Sequence, residues 1–143
     1  MRVGVDTSVI VAAVHANHPL HKPTAQWLDA AFASQTVVVT HHSILEAYAV
    51  LTRLPGDMRL NPTEADSVLR GTLRGNAVVA DFRASEMWTV MTRIQEMPAS
   101  GGAFYDAFTI ELLVEAGVEA IATFNVSDFV RLITKVRAFD PLE

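Results

Sequence analysis

Residues 1–14 have the sequence MRVGVDTSVIVAAV, and this stretch decides the class of fold. Arg2 to Val5 form a short β-rich run, and the apolar run from Val9 to Val14 predicts a helix. Between them, Asp6-Thr7-Ser8 supplies side chains that commonly cap helix N-termini. A strand that leads directly into a helix predicts an α/β protein.

The same alternation continues along the chain and predicts the order β-α-α-β-α-α-β-α-α-β-α-β. Further strands are predicted at Thr36–Thr40, Asn76–Asp81, Ala120–Phe124 and Val136–Phe139. Further helices are predicted at about Lys22–Ala33, His41–Leu54, Asn61–Arg74 and Ala84–Met97, then around Asp106 as far as Gly117, and at Val126–Leu132. Because the strands are apolar and alternate with helices, we expect a mostly parallel sheet that is covered on both faces.

Composition predicts a single globular domain over residues 1–143. Half of the residues are hydrophobic and 19% are charged, and no apolar run approaches the roughly 20 residues of a membrane span. The N-terminus has the pattern of a strand, so we expect neither a signal peptide nor a membrane location. The chain has no cysteine, which excludes disulfides and thiolate metal sites and fits a cytoplasmic protein. The formal charge of −5 argues mildly against nonspecific nucleic-acid binding, although clustered acids would also produce it.

Three acidic residues, Asp6, Glu46 and Asp106, stand in otherwise apolar segments. A buried carboxylate is costly unless a cation or hydrogen bonds compensate it. Each acid also has a simpler explanation, since Asp6 could cap a helix and Glu46 could share a solvent-facing side with Arg53. Asp6 follows the first strand, and ligands of parallel sheets collect at the carboxyl ends of strands.

Helical periodicity separates Asp106 from its acidic neighbours. At about 100° per residue, Asp106 shares a face with Ile110 and Leu113, so its side chain is predicted to be buried. Glu111 and Glu115 point the opposite way and are predicted to face solvent. Asp106 is therefore the acid whose position most needs a functional explanation.

Converging carboxylates favour a divalent metal site. Without a cation they would repel one another and take up protons. Mg²⁺ and Mn²⁺ prefer oxygen ligands and keep bound waters, so either ion would make such a cluster tolerable. The chemistry that follows is metal-assisted attack of water on a phosphodiester.

Four segments together resemble the PIN-domain nucleases, and within them the VapC-type toxins of bacterial type II toxin–antitoxin pairs. These segments are Asp6-Thr7-Ser8-Val9-Ile10, Glu46, Tyr105-Asp106-Ala107, and Thr123-Phe124-Asn125-Val126-Ser127-Asp128-Phe129. The resemblance implies a three-layer α/β/α fold with a mostly parallel sheet of about five strands. It also implies a Mg²⁺-dependent endoribonuclease that forms a homodimer and is inhibited by a VapB-like antitoxin, with Mn²⁺ as an alternative metal.

The resemblance also assigns roles by position. It makes Asp6 and Asp106 the principal metal ligands, and Glu46 completes the acidic cluster directly or through water. Asn125 departs from the family, because many relatives have an acid there; an amide oxygen or an oriented water would replace the charged ligand. Asp128 is the candidate for the fourth carboxylate, and Thr123 resembles the family's hydroxyl that positions the site.

Other functions fit the residues less well. A phosphotransfer receiver needs a second acid beside Asp6, and a haloacid-dehalogenase-like phosphatase needs an Asp where Ser8 stands. A non-catalytic RNA- or partner-binding module stays open because of Asn125. The histidines at 15, 18 and 21 have the spacing of a zinc site, but Asn17 and Pro19 favour a loop. His41 and His42 are expected to cap or shield the following helix.

Overall fold

The computed structural model describes residues 1–132 and 136–143 of the chain. Within them, strands β1–β5 cover Arg2–Val5, Thr36–Thr40, Val78–Ala80, Ala120–Ala122 and Arg137–Phe139. Helices α1–α7 cover Thr7–Val14, His21–Ser34, His41–Arg53, Pro62–Leu73, Met87–Ile94, Ala103–Glu115 and Val126–Val130. The predicted order of strands and helices is confirmed.

The five strands form one sheet in the order β3-β2-β1-β4-β5, and every pair of neighbours is parallel. Helices flank the sheet, which confirms the predicted α/β/α architecture. β1 lies in the centre, where Gly4 pairs with Val38 on one side and with Ile121 on the other. The chain runs outward from β1 through β2 to β3, then crosses to the other side of β1, where it forms β4 and β5. The reversal opens a crevice between the carboxyl ends of β1 and β4, where ligands of such sheets bind.

The two faces of the sheet are buried in separate apolar clusters. Val3 and Val5 of β1 pack with α1–α4 on one face. Val38 and Ile121 pack with α5–α7 on the other face. These contacts on opposite faces follow from the two-residue period of side chains along a strand.

Two predictions about the elements are wrong in detail. β3 is at the edge of the sheet, and its Val78 and Val79 are 44% and 47% exposed, so the sheet is not covered on both faces throughout. The segment Ala84–Met97 is not one helix, because a 3₁₀ turn at Ala84–Glu86 precedes α5. In the described part of the chain, no helix is long and apolar enough to cross a membrane.

Candidate active site

Asp6 lies at the carboxyl end of β1, in the crevice beside β4. Its backbone N–H donates to the carbonyl of Ala122 at 3.0 Å, which fixes the residue between the two strands. The side chain is only 6% exposed and does not cap α1. Its Oδ2 instead accepts hydrogen bonds from Thr123 Oγ1 at 2.9 Å and Ser8 Oγ at 3.0 Å. The simple capping explanation for Asp6 is therefore wrong.

Ser8 is a site residue that the sequence did not single out. Its hydroxyl donates to Asp6 and accepts from the backbone N–H of Phe124 at 3.1 Å. Thr123 is fully buried and bonds in the same way, because its hydroxyl accepts from Asn125 N–H at 3.0 Å while it donates to Asp6. The two hydroxyls thus tie the carboxylate of β1 to the loop after β4. In the sequence, the one indication of this role was that Ser8 carries a hydroxyl two residues after the candidate acid Asp6.

Burial raises the pKa of Asp6 above its ordinary value. Hydrogen bonds from Thr123 and Ser8, and from the backbone of Thr7, act in the opposite direction, and the charge of Glu46 raises the pKa further. Both side-chain donors bind Oδ2, and among the described residues no side chain donates to Oδ1. One carboxylate oxygen is therefore held in place while the other remains available as a ligand atom.

Asp106 lies in the first turn of α6 and is half-buried, so the prediction of a buried side chain is wrong in degree. Burial, followed by the charges of Asp6, Asp128 and Glu46, raises the pKa of Asp106 to about 6. Because each of these charges acts on Asp106, the four predicted acids are gathered in one region of the molecule. Their mutual repulsion is what a bound cation would relieve.

Glu46 lies on α3 and is partly exposed. Its Oε2 is 3.5 Å from Nε2 of His42, one turn earlier on the same helix. The ring of His42 in turn stacks on Tyr105, with 4.7 Å between ring centroids. His42 therefore lies between Glu46 of its own helix and Tyr105 of α6, and it is Thr40 that caps α3.

Asp128 and Asn125 lie at the exposed rim of the region. Asp128 Oδ1 accepts a hydrogen bond from Arg131 Nη2 at 2.6 Å. Asn125 is exposed and directly precedes α7, and its carbonyl accepts from Asp128 N–H at 3.1 Å. Asp106, Asp128 and Arg131 line one open pocket of about 360 Å³. This pocket is the solvent-facing entrance to the acidic region.

The carboxylates do not form a closed ligand set. Among residues 1–132 and 136–143, no three His, Asp or Glu side chains are arranged closely enough to hold an ion as they stand. The acidic residues interact by charge repulsion, and within the described part of the chain only Asp6 of the four is held by hydrogen bonds from side-chain hydroxyls. The donor set consists of carboxylate and hydroxyl oxygens, which suits a hard divalent cation.

The remaining predictions concern polar side chains outside the acidic region, and one of them is wrong. His15 Nε2 lies 2.6 Å from the carbonyl of Met58, and His21 Nδ1 lies 3.0 Å from that of Ala12. These contacts bind the α1–α2 loop to its surroundings, in line with the loop interpretation. Glu111 does not face solvent freely, because it accepts a hydrogen bond from Arg93 Nη1 at 3.0 Å and its side chain is 14% exposed.

The parallel sheet and the carboxylates near the carboxyl end of its central strand define an α/β protein with an acidic site at the switch point of the sheet. The family model described as the PIN domain matches residues 3–132. The chain belongs to the PIN-domain family, as the sequence motifs indicated.

Individual relatives agree with this assignment. Ribonuclease VapC27 of Mycobacterium tuberculosis (strain ATCC 25618 / H37Rv) is 30% identical over 105 residues, which are 73% of this chain and 72% of that protein. The crystal structure of Mycobacterium tuberculosis VapC20, a Sarcin-Ricin loop cleaving toxin, has a TM-score of 0.67 at 18% identity, covering 94% of this chain and 98% of that one. VapBC2 from Rickettsia felis, bound to a DNA fragment from their promoter, has a TM-score of 0.69 at 15% identity, covering 98% of each chain. At these identities the solved structures show that the fold is shared.

Proposed function

We propose that the chain is a Mg²⁺-dependent endoribonuclease that acts as the toxin of a toxin–antitoxin pair. Membership of the PIN-domain family and 30% identity to a named ribonuclease support an RNA-cleaving hydrolase. The observation that carries the metal dependence is Asp106, whose pKa of about 6 results from burial and from three neighbouring carboxylates. A cation in this region would remove that repulsion.

In this proposal Asp6 and Asp106 would ligate the ion, and Glu46 and Asp128 would complete the acidic cluster directly or through water. An Mg²⁺ ion held there (or Mn²⁺ in its place) would supply the charge needed to polarise a phosphodiester and to activate water. Thr123 and Ser8 keep Asp6 in one orientation by donating to Oδ2, so its ligand geometry does not depend on the substrate. Asp106 contributes a charge that is costly without the cation.

The rim residues contribute less charge than the family pattern provides. Asn125 offers a neutral amide that can orient a water, and the charge of Asp128 is partly offset by its hydrogen bond from Arg131. Asp6 and Asp106 are accordingly the principal ligands in this proposal, with Glu46 acting directly or through water. Asn125 also keeps a second function in view, a non-catalytic module that binds RNA or a partner without cutting.

Cleavage of RNA by the purified protein separates these two functions. We expect cleavage with Mg²⁺, none with EDTA, and a loss of at least about 100-fold in Asp6→Asn and Asp106→Asn. Asp29→Asn is the matched control, because Asp29 is an exposed acid on α2 and is not among the charges that act on Asp106. Unchanged metal-dependent cleavage in Asp106→Asn would disprove the assigned roles, and RNA binding without cleavage by the wild type would favour the non-catalytic module.

The proposed partner is a VapB-like antitoxin, since structural neighbours include VapBC complexes. A region with this many carboxylates favours a partner that inserts a cationic side chain, because charge-assisted hydrogen bonds to carboxylates are strong. The contact of Arg131 with Asp128 illustrates such a pair within the chain. We expect the product of a small adjacent reading frame to restore growth when co-expressed, and the absence of any such partner would count against the toxin assignment.

A further inference from the structure

An aromatic cluster lies beside the carboxylates and has no part in the chemistry proposed above. It joins the start of α3, the segment after β3 and the first turns of α6. Its members are His41, His42, Phe82, Phe104, Tyr105 and Phe108, whose rings contact one another in stacked or edge-to-face pairs. Most of these side chains are half-buried, and the cluster therefore has a packed interior with one open position.

Tyr105 occupies that open position. Its ring stacks on His42 with a centroid distance of 4.7 Å and an angle of 17° between the planes, and it meets the edge of Phe104 at 5.6 Å. Despite these two contacts, Tyr105 is 51% exposed. The neighbouring rings thus fix the orientation of the tyrosine while leaving much of its surface to solvent. A large aromatic group that is held rigidly yet left open is suited to stack on another planar group.

The position of Tyr105 ties this surface to the acidic site. The residue directly precedes Asp106 in the first turn of α6. On its other side, the imidazole that supports it lies 3.5 Å from the carboxylate of Glu46. His42 covers one face of the Tyr105 ring, so a planar group would stack on the opposite face, beside the first turn of α6 that bears Asp106.

Charge gives a reason why an RNase of this composition would need such a surface. The chain has 11 Lys and Arg residues against 16 Asp and Glu residues, and a polyanion gains little from a protein with that balance. Arg93 is already hydrogen-bonded to Glu111 and Glu115, and Arg131 to Asp128. Stacking of bases on aromatic side chains requires no positive charge, and it is available to single-stranded RNA because its bases can be unstacked.

We propose that Tyr105 is a nucleobase-binding residue that stacks on an unpaired base next to the scissile phosphodiester. This inference rests on the proposed ribonuclease function and adds to it a residue that contacts the base beside the cleavage site. His42 and Phe104 act as positioning residues, because they hold the tyrosine ring in the orientation that a base would meet.

Equilibrium binding of two RNA probes tests the proposal. The probes are a single-stranded RNA of about 12 nucleotides and a duplex of the same composition. Binding is measured by fluorescence anisotropy in Ca²⁺ in place of Mg²⁺, and gels run after each titration verify that the RNA is intact. We expect Tyr105→Leu to bind the single strand about 5- to 100-fold more weakly and the duplex as the wild type does. The ratio of variant to wild-type affinity should stay constant between about 50 and about 300 mM salt, since no phosphate contact is removed.

Matched variants separate stacking from general damage. Tyr105→Phe keeps the ring and should keep the affinity, and Trp88→Leu removes a 69% exposed aromatic from α5 and should leave it unchanged. With the wild-type protein, an abasic substitution at one position of the probe should reproduce the loss seen in Tyr105→Leu, and it should have no further effect in that variant.

The outcomes also distinguish this inference from the proposed function. Equal affinity of wild type and Tyr105→Leu for the single strand, in a protein that still cleaves RNA, overturns the inference alone. Equal losses for single strand and duplex overturn it as well, because they exclude a role for unpaired bases. A Tyr105→Leu variant that keeps its RNA affinity but no longer binds the antitoxin overturns it and assigns the ring to the protein partner. A wild type that neither binds nor cuts RNA overturns both the inference and the proposed function.

Discussion

The hydroxyl of Thr123 opposes the rise in the pKa of the buried Asp6 and orients its carboxylate. It is fully buried and donates to Asp6 Oδ2 at 2.9 Å, in a position where burial alone raises the pKa of the carboxyl. A hydrogen bond to a charged group contributes about 1.5–3 kcal/mol. We therefore expect Thr123→Val to raise the pKa of Asp6 further and to lower cleavage at neutral pH by about 10-fold or more. The measurement is a pH–rate profile, whose acidic limb should move to higher pH.

Two comparisons make that result specific. Thr123→Ser retains the hydroxyl and should retain most of the activity, whereas Ser8→Ala removes the second donor to the same oxygen and should act in the same direction as Thr123→Val. If Thr123→Val lowers the rate equally at every pH, with no movement of the acidic limb, the hydroxyl does not act through the ionisation of Asp6.

Asp106 should make the metal-free protein less stable as the pH rises. Its pKa is about 6 in the folded chain and near 3.8 when unperturbed, so the native state binds more protons between these values. Stability from this group is therefore lost as the pH rises from about 4 to about 6. We expect Asp106→Asn to be more stable than the wild type at pH 7 by about 1 kcal/mol, after allowance for solvent screening of a half-exposed group, and equally stable near pH 4. Urea unfolding in EDTA measures both values, and equal stabilities at pH 7 would contradict the prediction.

At the scale of residues, the sequence predicted which acids would gather and that Thr123 would position the site, but not that Ser8 would also hold Asp6. Asp6 and Asp106 could be identified because a carboxylate in an apolar periodic segment is conspicuous. Ser8 could not, because its role depends on the backbone N–H of Phe124, which is distant in sequence and is brought near only by the pairing of β1 with β4. The half-burial of Asp106 likewise depends on the open pocket beside Asp128, which no periodicity specifies.

At the scale of elements, β1 can approach α6 closely because position 4 is a glycine. A Cβ built on Gly4 would lie 2.7 Å from Leu113 Cδ1 and 3.2 Å from Val118 Cγ1. We expect Gly4→Val to destabilise the chain by about 1–3 kcal/mol through overpacking. Gly71→Ala on α4 is the control, because nothing lies within 4 Å of the added Cβ, and it should be neutral or stabilising by up to about 1 kcal/mol. Thermal unfolding of both variants gives the comparison, and a Gly4→Val protein as stable as the wild type would show that α6 moves at little cost.

The order of strands and helices was predictable because each has its own spacing of apolar residues and its own residues that begin or end it. The capping box of α4, in which Asn61 and Glu64 exchange hydrogen bonds, is a local device of this kind. The exposure of Val78 and Val79 was not predictable, because it depends on β3 being an edge strand. The direction of the chain determines which end of each strand bears the site, but it does not determine the strand order.

At the scale of the whole molecule, α3 separates two surfaces. Glu46 and His42 face the acidic region, while Tyr48 lies about 200° further around the helix and lines an apolar groove. The groove has a volume of about 420 Å³ and is formed by α3, α4 and the end of β3. The groove lies on α3 and α4, and we expect this surface to bind a second copy or an antitoxin.

The groove leads to a prediction about self-association. Leu45 is 65% exposed and Val79 is 47% exposed, and both line the groove beside an unpaired sheet edge, where apolar side chains favour association. We expect the wild type to be a dimer at micromolar concentration and the double variant Leu45→Lys with Val79→Lys to be a monomer, because two charges would have to be buried in the interface. Light scattering measures both masses. Val114→Lys, at a 38% exposed apolar position on α6, should remain a dimer. A double variant that remains a dimer but no longer binds the antitoxin would assign the groove to the antitoxin and place the dimer contact elsewhere.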